Sequence, residues 1–207
     1  QIVENAMEGM WKDWQRIKDK ELYSGVGVHC MDKTGKRIGP AWPENGIVSN
    51  DLEMRFKYKI TGEKWGCIRT DVMRKFPNAE VKGHFLSEGT VWYRIARRYK
   101  KVYIDECLRI YEVHEDSVST RITREKDYNF ESFLFSTCIY INEFSDYFLK
   151  YEFKKAIKNP LVLTKKCIEN DYPVLIGKDA LIKIVNPLYA KLLVACASAY
   201  KLGKIFM

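Results

Sequence analysis

Between residues 85 and 120 a helical pattern runs straight into a strand pattern: FLSEGTVWYRIARRYKKVYIDECLRIYEVHEDSVST. At roughly 100° per residue, Val91, Trp92, Ile95, Ala96 and Tyr99 share one side of a helix, and Arg94, Arg97 and Arg98 the other. KKVYIDECLRIYEV, residues 100–113, then reads as one or two strand segments with a break near Asp105-Glu106. A one-sided helix delivered directly onto a strand points to mixed α/β architecture. Ser87 stands where an N-cap belongs, and Glu88 falls in the first turn within the apolar arc, close to Trp92 and Tyr99. The helix dipole favours the ionised acid there, whereas burial beside aromatics raises its pKa. Those opposed influences can tune a general base. The plainer reading of Glu88 is a solvated first-turn acid that suits the dipole.

The chain before this stretch alternates between element types. Residues 3–18, VENAMEGMWKDWQRIK, predict an amphipathic helix with Met7, Met10, Trp11, Trp14 and Ile17 inward. LYSGVGVHCMD, residues 22–32, predicts a strand, with a hairpin turn at Lys33-Thr34-Gly35 and a short return strand. Residues 40–50 read as loop, Asn50 or Asp51 as the cap of a helix over 51–60, and KWGCIRT as a strand. A short helix from Asp71 is stopped by Pro77. HEDSVSTRITREKD, carrying His114, Arg121 and Arg124, reads as polar loop. From about residue 126 the period is helical throughout. The fold class expected is α/β, a mixed sheet with flanking helices over 1–125, followed by an all-helical C-terminal region over 126–207. The last helix places Leu188, Leu192, Ala195, Ala199, Leu202 and Phe206 on one face, opposite Lys191, Lys201 and Lys204. It is too short and too charged for a membrane span, and suits either core packing or an anionic membrane surface.

Composition narrows the classes. With 46% apolar and 30% charged residues the chain is ordinary globular material. Its 14% aromatic content serves a well-filled core or sugar-stacking surfaces. The net charge of +8 admits an anionic membrane or a phosphorylated substrate. The basic residues are spread through the chain and no nucleic-acid-binding signature is evident, so no nucleic-acid partner is expected. The six cysteines show no CxxC spacing and sit mostly in apolar surroundings, as reduced core residues of a cytosolic protein do. A first residue that is not Met suggests a piece of a longer chain or a processed product. There is no Walker loop, GxGxxG, GxSxG or HExxH.

Five pieces, in order, carry a resemblance: W-x-D-W in the first helix, YSGVGVHCMDKTGKRIGP, GEKWGCIRTDVMRKFP, FLSEGTVWYRIARRYK and YIDECLRIYEVHEDSVST. Together they resemble the C-terminal portion of a bacterial family 2 glycosyltransferase of GT-A type, over roughly residues 1–120. The resemblance implies a partial GT-A-like sheet whose N-terminal nucleotide-sugar half, with its DxD metal motif, does not stand upstream of Val3, so the fragment is expected to be inactive alone. It implies an inverting transfer from a nucleotide-sugar donor to a glycan or lipid-linked acceptor, at the cytoplasmic membrane face. The family's acidic motif falls on Ser87-Glu88-Gly89, making Glu88 the candidate catalytic base, although many members carry a second acid where Gly89 stands. His114, in Y-x-x-H-x-x-S, is the candidate ligand for a divalent cation, Mn or Mg, in the intact enzyme; none is expected on this fragment. Glu63, Lys64 and Trp65 are candidates to line the substrate, with Arg121 and Arg124 to neutralise phosphate. The chemistry fits these types: a carboxylate takes the acceptor proton, and positive charge stabilises the departing diphosphate. The competing expectation is a non-catalytic module that docks a protein or a membrane.

Overall fold

The computed structural model describes residues 1–78, 88–112 and 130–170, together with Lys191, Leu192, Val194 and Ala195. The chain divides into two compact units, one of Gln1–Asn78 with Val91–Glu125, the other of Ala79–Thr90 with Lys126–Met207.

The first unit is built on a four-stranded mixed sheet. Its strands are β1 (Tyr23–Met31), β2 (Ile47–Ser49), β3 (Lys64–Ile68) and β4 (Lys100–Ile110), in the spatial order β2-β4-β1-β3. β1 and β4 are parallel, and the outer pairs β1–β3 and β2–β4 are antiparallel. The central β1 is buried along almost its whole length. Gly27 is needed there because the ring of Tyr103 on β4 occupies the space that a Cβ would fill. β4 is one continuous strand whose break shows as a bulge. Tyr103 pairs with Gly27 and Cys107 with His29, so four residues of β4 advance against two of β1.

Helix α1 (Ala6–Arg16) buries Ala6 and Met10, and Met10 packs with Val26 and Val28 of β1, joined by Trp14, Ile17 and Trp65. Met7 and Trp11, expected inward, are 58% and 60% exposed. They lie on the flank of the helix that the sheet does not reach. On the opposite face of the sheet Trp42, Ile47, Met54, Ile60 and Tyr103 form a second core. Helix α2 (Asp51–Phe56) is shorter than expected and starts at the expected cap, Asn50, whose side chain accepts from the Glu53 N–H at 2.9 Å. It is pinned to β4 by Asp51, which accepts from Tyr103 Oη at 2.8 Å and Lys101 Nζ at 2.6 Å. The hairpin turn closes as expected, with Asp32 Oδ1 accepting from the Thr34 and Lys36 N–H groups and Gly35 at φ +82°. Helix α3 (Thr70–Lys75) and helix α4 (Gly89–Ala96) share a third cluster of Val72, Val91 and Ile95. The expected faces of α4 hold for Val91, Ile95 and Ala96, which are buried, and for Arg97 and Arg98, which follow it and are exposed.

The second unit contains helices α5 (Phe130–Tyr151) and α6 (Phe153–Glu169). The helical run read from the sequence after about residue 126 is interrupted at Glu152, whose φ of −141° and ψ of 48° are not helical. Leu134, Cys138, Ile141 and Phe144 of α5, and Leu163 and Cys167 of α6, are buried. Among the described residues no helix is long and apolar enough to cross a membrane. Most of the amphipathic stretch 188–206 lies outside the described residues.

Candidate functional site

The parallel pair β1–β4 brings charge into the sheet. His29 lies on the apolar strand SGVGVHC and is fully buried. Cross-strand pairing sets it opposite Lys64 on β3 and Cys107 on β4. Its ring stacks on Trp42 with centroids 4.2 Å apart, and the Trp42 indole donates to the Ile104 carbonyl at 2.9 Å. Asp105 Oδ1 lies 2.9 Å from both His29 Nε2 and Arg37 Nη1. Arg37 makes an aligned hydrogen bond to it, whereas the imidazole approaches off line, so neither ring nitrogen has a well-aligned partner. Burial above all, then the positive charge of Lys64, pushes the His29 pKa down to about 4 despite the nearby carboxylate. His29 is therefore neutral at pH 7.

Lys64 closes the cluster. Its ammonium donates to the Ile38 carbonyl at 2.7 Å and lies 5.4 Å from the Trp42 ring centroid. Burial lowers its pKa, and the charge of Arg37 adds to that. Glu63, next in sequence, is 3.5 Å from Arg109 in a half-exposed ion pair. Trp65 points to the other face and packs beside Met10, Val26 and Val28. The three residues of the EKW motif thus serve different surroundings, and alternation along β3 explains the split between Lys64 and Trp65.

Glu88 stands in the turn before α4 and is exposed, not held in the apolar arc. Thr90 and Val91, which follow it, are buried, so the helix start is anchored while the carboxylate faces solvent. Ser87, His114, Arg121 and Arg124 lie outside the described residues. Among the described residues, no group of three His, Cys, Asp or Glu side chains could hold a metal ion.

An open cavity of about 520 Å³ lies on the α1 side of the sheet, floored by Val48, Val102 and Ile104. Tyr23, Asn45, Glu106, Asp13 and Arg16 line its polar parts. Asp13 and Arg16 pair with each other at 3.1 Å. The volume falls within the range of small-ligand sites, and an apolar floor with donors and acceptors around it suits a hydroxyl-rich ring. None of these residues was singled out from the sequence as a site residue. The available signal was that Asp13 sits inside W-x-D-W, Tyr23 begins YSGVGVHC, and Ile104 and Glu106 belong to YIDECLRIY. A second, smaller cavity of about 220 Å³ runs beside α1 between Met7, Trp11, Trp14, Cys67 and Ile68.

Three of the thiols are held protonated in the core. Cys30, Cys138 and Cys167 are buried, and burial raises them to about 11, about 12 and about 11. No protein-family model matches the chain, and neither the curated proteins nor the solved structures contain a match.

Proposed function

We propose that these 207 residues are the acceptor-side and C-terminal portion of an inverting glycosyltransferase, acting on a nucleotide-sugar donor and a glycan or lipid-linked acceptor. One observation carries the reading. Three of the segments that bear the resemblance meet at one sugar-sized cavity: W-x-D-W through Asp13, YSGVGVHC through Tyr23, and YIDECLRIY through Ile104 and Glu106. In this reading the cavity receives the acceptor, with Tyr23 offering a ring face and Glu106 and Asn45 accepting or donating to hydroxyls. Glu88, exposed in the turn before α4, is not among the residues that line this cavity and keeps the role of base that the resemblance implies. His114, Arg121 and Arg124 keep the roles that the resemblance implies. The divalent cation finds no three-ligand set among the described residues.

The test is donor-dependent sugar transfer by the chain carrying its nucleotide-binding half, with the acceptor varied. Tyr23→Ala and Glu106→Ala are expected to raise the acceptor KM about tenfold or more with little change in kcat, since they remove binding common to ground and transition states. Unchanged KM in both variants would remove the acceptor from this cavity.

The second reading, a non-catalytic interaction module, is favoured by Met7 and Trp11, which α1 leaves exposed beside the smaller cavity. Trp11→Ala separates the two. It is expected to spare transfer in the first reading and to abolish partner capture in the second.

A further inference from the structure

The corner between α5 and α6 combines two features that rarely coexist on an unpartnered surface. It leaves large apolar side chains in water: Phe153 is 63% exposed, Ile157 40% and Leu149 38%. Phe153 and Ile157 are one turn apart on the same side of α6. The same ten residues, 149–158, carry four exposed lysines, Lys150, Lys154, Lys155 and Lys158, against a single acid, Glu152. Glu152 pairs with Lys155 at 2.9 Å, and the ammonium of Lys150 lies 5.0 Å from the Tyr151 ring centroid. Lys154 and Lys158 form no ion pair among the described residues. Asp146, one turn before Lys150, is the nearest further acid along α5.

We propose that this corner docks onto an anionic lipid bilayer, with Leu149, Phe153 and Ile157 entering the headgroup region and the four lysines meeting the negative surface. Charge complementarity selects the occupant. An apolar tip ringed by lysine is what an anionic interface rewards, through buried apolar area and through attraction of each cation. A protein partner would require a broad complementary face, on the order of 800 Å² per side, whereas a helix corner presents a few protruding side chains. The exposed apolar surface on α1 lacks this complementarity: Met7 and Trp11 are flanked by Glu4, Glu8 and Asp13 as well as Lys12. The ten residues are separate in sequence from the amphipathic stretch 188–206, and the proposal does not depend on the enzymatic reading, because adsorption needs no turnover.

The experiment is flotation of the 207-residue chain with vesicles of pure phosphatidylcholine and of phosphatidylcholine enriched in phosphatidylserine. The expected result is partition onto the anionic vesicles only. The fourfold variant K150Q/K154Q/K155Q/K158Q is expected to lower that partition at least a hundredfold, since each lysine near the surface contributes about fivefold. Phe153→Ser is expected to lower it about tenfold with charge unchanged. Far-ultraviolet circular dichroism of both variants shows whether the helices are intact. A control variant, K191Q/K201Q/K204Q, addresses the last helix. The proposal is overturned if the wild-type chain ignores anionic vesicles, if it binds neutral ones equally, or if the fourfold variant binds undiminished. It is also overturned if only the control variant loses binding.

Discussion

The sheet unit and the helical pair bury polar atoms in opposite ways. In the sheet, a fully buried imidazole sits against Trp42 with Asp105, Arg37 and Lys64 around it, and a buried tyrosine reaches an aspartate on α2. In α5 and α6 the large buried side chains are apolar or thiol, and the buried polar ones are small hydroxyls. Thr164, for instance, donates to the Pro160 carbonyl within its own helix at 2.9 Å. A hydroxyl satisfied by its own backbone needs no distant partner. A charged group below a surface does, and its partners must come from other strands. The sheet therefore concentrates groups whose state depends on surroundings, and the helical pair concentrates packing.

Substitutions at three positions sharpen that contrast. The largest effect is expected from Phe144→Ala, which empties a fully buried site of α5; a loss of about 3–5 kcal/mol in chemical denaturation is expected. A loss below about 1 kcal/mol would show that the helical pair is loosely packed. Next, Asp51→Ala leaves the Tyr103 hydroxyl and the Lys101 ammonium without their shared acceptor, and is expected to cost about 2–4 kcal/mol. Asp51→Asn should recover part of it, because the amide oxygen still accepts.

The third effect is smaller and depends on pH. The folded-state pKa of His29 is about 4 and its unfolded value is near 6.5, so the unfolded chain binds the proton more readily. The contribution of neutral His29 is complete above about pH 6.5 and is lost as pH falls towards 4. It amounts to roughly 2–3 kcal/mol across that window. His29→Phe, which keeps a ring on Trp42, is expected to flatten the slope of stability against pH between 6.5 and 4 relative to wild type. Parallel slopes in the two proteins would mean that His29 keeps an ordinary pKa in the fold.

Local signals served the fold well. The alternating YSGVGVHC, the Asn50 cap, the Asp32–Gly35 turn and the interruption of β4 beside Asp105-Glu106 are all written in a few neighbouring residues. Where structure depends on distant partners, the sequence was mute. β2 is three residues inside a stretch that reads as loop, and it exists because β4 lends it hydrogen bonds. The His29 cluster gathers residues 29, 37, 42, 64 and 105 through a parallel pairing that no local window contains. One clue was visible: a histidine within an otherwise apolar strand must find company. Glu88 follows the plainer of its two readings: the helix begins at Gly89, and the turn before it leaves residue 88 exposed rather than in the apolar arc.

The most direct test of the catalytic reading is single-turnover transfer by Glu88→Gln in a chain that includes the proposed donor-binding half. If Glu88 takes the acceptor proton in the enzyme proposed above, the rate is expected to fall about 10²–10⁴-fold, with donor binding unchanged. A rate within about twofold of wild type would show that the proton leaves by another route and that Glu88 is a solvated helix-start acid.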